Sequence, residues 1–99
     1  MNFQNHEKVM RIRLFGDYSS EGFSAWLVGE AESLDLCGWA RPRADGSLDA
    51  LFAGGQGSVE AMVELLKDSA APIRSPRVVE RLRRGDEPIW AGFHYLPTV

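Results

Sequence analysis

The hydrophobic period of this chain switches from two to about 3.6 and back again, and then does so a second time, which only a fold mixing strands and helices can accommodate. Val9-Met10-Arg11-Ile12-Arg13-Leu14-Phe15 alternates with period two, as a half-buried strand does, and Gly16 ends it. Phe23, Trp26, Leu27, Ala31 and Leu34 recur at helical spacing, which predicts a helix from Gly22 to Leu34. Leu36 to Arg41 reads as a second strand. Asp45-Gly46 is a hairpin signal. It leads into a third strand, in which Leu48, Ala50 and Phe52 alternate with Ser47, Asp49 and Leu51. Gly54-Gly55-Gln56-Gly57 reads as a loop, with Ser58 as N-cap of a second helix and Glu60 and Glu64 near its positive end. Val59, Met62, Val63 and Leu66 form that helix's core stripe. Pro72 and Pro76 bracket a loop, Arg77 to Arg83 reads as a fourth strand, and Gly92 to Leu96 as a short fifth.

The order β-α-β-β-α-β plus a short fifth strand is the α+β, ferredoxin-like split βαβ sandwich. Right-handed crossovers place both helices on one face of an antiparallel sheet. Phe23, Leu27, Phe52 and Val63 are the expected core between the layers. The 99 residues suffice for one such core. Residues 1–7 read as a flexible N-terminal tail and residues 8–99 as the domain.

Charge and composition narrow the function classes. The net charge of −3 argues against non-specific nucleic-acid binding, which needs clustered positive charge. No apolar run is long enough for a membrane span, and the polar N-terminus has no signal-peptide pattern. Cys37 is the only cysteine, so no internal disulfide forms. With no basic neighbour to activate its thiol, it reads as a small core residue. A cytoplasmic monomer is the expectation. His6 and His94 stand apart and give no metal-ligand spacing, so no metal or cofactor is expected. No protein partner is indicated. If Met10, Ile12 and Leu14 face the helices, then Arg11, Arg13, Trp39 and Arg41 share the open side of the sheet. The simpler reading is that arginine stems cover the tryptophan. The alternative is a surface that grips a base or another anion.

The segment between the first strand and the first helix is Gly16-Asp17-Tyr18-Ser19-Ser20-Glu21-Gly22-Phe23-Ser24. Together with Gly38-Trp39-Ala40-Arg41-Pro42 and Asp45-Gly46-Ser47, it resembles the acylphosphatase family, whose loop reads Gly-x-Val-Gln-Gly-Val-x-Phe/Tyr-Arg and whose second motif reads Gly-x-Val-x-Asn. The resemblance covers residues 8–97 and implies the same fold as the periodicity does. It also implies that residues 16–23 form a phosphate-binding loop, with phosphate or another small anion as ligand. In the family, the loop arginine grips phosphate oxygens and the asparagine holds the attacking water. Here those positions carry Ser24 and Pro42. Ser20 replaces the motif's middle glycine, and Glu21 adds a carboxylate that opposes an anion. Weak or absent acyl phosphate hydrolysis is therefore the leading expectation. Two alternatives stay open. One is an active enzyme with rearranged groups, with Arg41 or Arg43 as replacements. The other is a non-catalytic anion-binding or protein-interaction module. Strand alternation puts Arg41 and Arg43 opposite residue 42, although Arg43, near the hairpin, has the freedom to reach over the strand end.

Overall fold

A computed structural model describes residues 7–17, 22–67, 74–81 and 91–97. The elements are β1 (Lys8–Asp17), α1 (Phe23–Ser33), β2 (Cys37–Pro42), β3 (Leu48–Gly54), α2 (Gln56–Lys67), β4 (Arg74–Arg81) and β5 (Phe93–Tyr95). The strands lie in the order β4-β1-β3-β2-β5. The four strands of the split βαβ unit pair antiparallel, and β5 adds in parallel to β2, so the five-stranded sheet is mixed.

Register sorts the side chains by face. Ile12 stands opposite Ala50 and Leu14 opposite Leu48 across β1 and β3, and Ala40 meets Ala50 across β3 and β2. These residues join Phe23, Leu27 and Phe52 in the helix-side core. The helix stripe Val59, Met62, Val63 and Leu66 is buried as read. Phe52 stacks on Phe93, with centroids 5.3 Å apart and planes at 5°, so β5 contributes a ring to the core. Burying a phenylalanine is worth about 1.5–3 kcal/mol. Trp39, Leu51 and Ala53 form a smaller buried cluster on the other face, with Val9 and Leu96 against it. Strand β3 is therefore buried on both faces, although its alternation predicts burial on one. It lies in the middle of the sheet, and side chains from both neighbouring strands close over it.

Several boundaries differ from the sequence reading. Strand β4 begins at Arg74, so Pro76 lies within it. An edge strand tolerates proline because the missing N–H can face outward, and among the described residues β4 pairs with β1 alone. Pro72, Leu82 and Arg83 lie outside the described residues. Helix α2 starts at Gln56, ahead of Ser58. The Glu7 carboxylate accepts the Gln56 N–H at 2.9 Å and takes the capping part assigned to Ser58. Glu60 sits one turn in and pairs with Lys8 at 3.4 Å. Glu64 lies beyond the positive end and meets Lys67 at 3.7 Å. Cys37 is half-buried rather than a core residue. Among the described residues, no helix is long and apolar enough to cross a membrane, and no three His, Cys, Asp or Glu side chains group as metal ligands.

Candidate functional site

Glycine sits at both described ends of the loop that joins β1 to α1. The register of β1 against β4 shifts between Phe15 and Asp17, and Gly16 takes φ 136° at that irregularity. Gly22 takes φ 92° as N-cap of α1, a left-handed backbone that glycine adopts without a Cβ penalty. Its carbonyl accepts the Trp26 N–H at 2.9 Å, and Gly22 itself brings no capping side chain. A helix start carries N–H groups that no turn of its own helix satisfies, and such a start can receive an anion. Phe23 turns inward, 2% exposed, and packs against Trp26 at 6.1 Å. Ser24 is exposed in the first turn. Asp17 closes β1 opposite Arg74. Tyr18, Ser19, Ser20 and Glu21 lie outside the described residues.

Pro42 ends β2, opposite Leu48 of β3. Leu48 belongs to the helix-side core, so residue 42 stands on the helix side of the sheet and Arg41 on the other. The turn after it is tight. Arg43 and Ser47 are joined by an Arg43 N–H to Ser47 carbonyl bond of 2.8 Å, and the Gly46 N–H reaches the Arg43 carbonyl at 2.9 Å. The Asp45 carboxylate accepts the Ser47 hydroxyl at 2.6 Å and the Ser47 N–H at 2.9 Å. Those two bonds, helped by the charges of Arg13 and Arg43, hold Asp45 below the usual carboxylate range.

The candidate replacement Arg43 points away from the helices. Its Nη1 meets Asp49 at 3.2 Å. Asp49 is 1% exposed and gathers two further arginines. Arg13 approaches it at 2.7 Å through Nε and 3.3 Å through Nη2, and Arg11 at 3.4 Å. Burial pushes the Asp49 carboxyl up, but the Arg13 hydrogen bond and the charges of Arg13, Arg11 and Arg43 outweigh it and leave the group below its ordinary value. The same hydrogen bond raises Arg13. Arg11 also lies over the Trp39 ring at 5.8 Å, and the indole is 8% exposed. The Arg11 guanidinium therefore lies over Trp39, whose burial it shares with Leu51, Ala53, Val9 and Leu96. Asp49 escaped the sequence reading as anything beyond a strand residue. Its role comes from the sheet register, which sets this acid opposite Arg13 on one side and Arg41 on the other.

This architecture and these motifs have known counterparts. The Acylphosphatase family model matches residues 10–94. An acylphosphatase of Rhizobium etli is 39% identical over 67 residues, covering 68% of this chain and 71% of its own length. An acylphosphatase of Bradyrhizobium diazoefficiens is 33% identical over 95 residues, covering 92% of this chain and 96% of its own. Among solved structures, acylphosphatase from Bacillus subtilis superposes with a TM-score of 0.66 at 23% identity, over 89% of this chain and 97% of that one. That likeness shows the same fold.

Proposed function

The chain belongs to the acylphosphatase family, and on that premise we propose that it keeps the family scaffold while hydrolysing acyl phosphates weakly or not at all. One observation carries this reading: Ser24 and Pro42 stand where the family motifs place arginine and asparagine. Phosphoryl transfer spreads charge over the equatorial oxygens, and catalysis is mostly positioning and electrostatic stabilisation. A serine hydroxyl offers one neutral hydrogen bond in place of a cationic fork. Proline offers neither a side-chain amide nor an N–H to hold water. Losing one preorganised donor costs roughly 10²–10³ in rate, and here two groups are replaced.

The position of Arg43 supports the same reading, because Asp49 holds its guanidinium on the face away from the helices. A second reading, anion binding without turnover, is favoured by the glycine N-cap of α1, which brings no side chain of its own to the helix start. A cytoplasmic monomer that takes phosphate or another small anion fits both.

Benzoyl phosphate turnover by the purified chain tests the proposal. Turnover far below the roughly 10 per second of a typical enzyme is expected. A rate at or above that level would overturn it. Phosphate protection of the α1 N-terminal amides without turnover would favour the second reading.

A further inference from the structure

Asp45-Gly46 is the one Asp-Gly pair in the chain, and no Asn-Gly pair accompanies it. Such a pair is chemically susceptible, because glycine has no Cβ to keep its nitrogen from the preceding side chain. Both residues are exposed in the turn between β2 and β3. Gly46 takes φ 90°, and nothing lies within 4 Å of where its Cβ would stand. Attack of the Gly46 nitrogen on Asp45 Cγ closes a five-membered succinimide. The N–Cγ bond forms and a Cγ–O bond breaks. The oxygen leaves as water, with its own proton and the amide proton. Water then reopens the ring. Opening at Cγ restores aspartate, whereas opening at the Asp45 main-chain carbonyl leaves isoaspartate, with the peptide running through Cγ. One water leaves and one enters, so no other reactant is needed. We infer that Asp45 is a site of isoaspartate conversion, which Ser47 holds in check through its two hydrogen bonds to the Asp45 carboxylate.

The contacts of the turn oppose the first step. Asp45 Oδ1 accepts the Ser47 hydroxyl at 2.6 Å and the Ser47 N–H at 2.9 Å. Donors on a carboxylate oxygen favour its ionised form. That form is the poor electrophile: it cannot release an oxygen as water without first gaining a proton. The charges of Arg13 and Arg43 act in the same direction, and the Ser47 hydroxyl contributes most. Asp49, the other acid beside those two arginines, binds both. The Gly46 N–H, whose proton must leave, donates to the Arg43 carbonyl at 2.9 Å. Ser47 is itself fixed. It is 2% exposed, and its carbonyl accepts the Arg43 N–H at 2.8 Å.

Conversion would change the end of the hairpin. It adds one carbon to the main chain between Asp45 and Gly46 and turns the side-chain carboxylate into an α-carboxylate. The bonds between Arg43 and Ser47 and between Gly46 and Arg43 depend on the original spacing. Pro42 and Leu48 pair immediately beyond them, so the strain falls on the end of β2.

Incubation of the full chain at about pH 5, where an ordinary aspartate still carries some proton, tests the proposal. Mass-spectrometric peptide mapping reads isoaspartate at residue 45. Ser47→Ala should convert about fivefold faster than the folded parent, as loss of one hydrogen bond implies. In urea the parent and the variant should convert at one rate, above that of the folded parent. The gap between folded parent and variant should narrow as pH falls, because both carboxyls then become protonated. Should Ser47→Ala not hold the fold, Ser47→Cys keeps the shape with only a weak S–H donor and should still convert several-fold faster. Four results would each overturn the proposal: no isoaspartate even in urea, a folded parent that converts as fast as the unfolded chain, folded variants no faster than the parent, or a gap that persists in urea or does not narrow in acid.

Discussion

Asp49→Asn should destabilise the fold by about 3 kcal/mol, because one carboxylate holds three arginines in a nearly dry site. Asp49 has a side-chain exposure of 2%, against 15% for Arg11, 16% for Arg13 and 40% for Arg43. Removing the charge takes away the carboxylate that Arg13 grips through both Nε and Nη2. Breaking a buried pair in this way costs roughly 3–5 kcal/mol. The exposure of Arg43 lets that side chain rehydrate, which places the effect at the low end. With a urea m-value of about 1.5 kcal/mol/M, the midpoint should fall by about 2 M. The effect has a pH signature. The folded pKa of Asp49 lies below its unfolded value, which is near 3.9. Its stabilisation is therefore complete above the unfolded value and is lost as pH falls through the folded one. The gap between parent and variant should stay level from about pH 5 to 8 and narrow below about pH 4. A midpoint at pH 7 within about 0.3 M of the parent, or a gap that widens on acidification, would refute the reasoning.

Four further outcomes are expected. Phe52→Ala should cost roughly 3–5 kcal/mol in a denaturant melt, because Phe52 is fully buried and loses its stack on Phe93. Gly38→Ala should lower the melting temperature strongly: Gly38 sits at φ 133°, and a Cβ there would run into the Leu51 carbonyl. Glu7→Ala should cost about 1 kcal/mol by uncapping α2, read as a small thermal shift with the fold retained by circular dichroism. Ser24→Arg with Pro42→Asn and Glu21→Val should produce measurable benzoyl phosphate hydrolysis. Either catalytic change alone should do little, because groups that act as a unit are non-additive. A folded triple variant without phosphate binding or turnover would show that the 16–24 backbone itself has diverged.

The strand and helix order was legible because the period of the apolar residues changes where the elements change. Helix α1 and the hairpin at Asp45-Gly46 were readable from local signals alone. The start of α2 was not, since its cap comes from Glu7, 49 residues upstream. Pro76 misplaced the start of β4 because a proline marks a break unless the strand is already known to be an edge. The positions of Ser24 and Pro42 were visible as motif departures. The role of Asp49 was not, because it depends on which residues of β1 and β2 stand beside it. Register across three strands is a tertiary fact, although the alternation that places Arg11, Arg13 and Arg41 on one face was already in the sequence.

Strand β5 carries a consequence for how the chain is made. Its three residues, Phe93–Tyr95, dock in parallel beside β2, more than fifty positions earlier in the sequence. The Phe93 ring closes over Phe52. A nascent chain that has not yet presented Phe93 lacks that ring and leaves the outer edge of β2 open. Completion of the core during synthesis must therefore wait until Phe93 has been made, and the open β2 edge is the place where a premature chain would meet another.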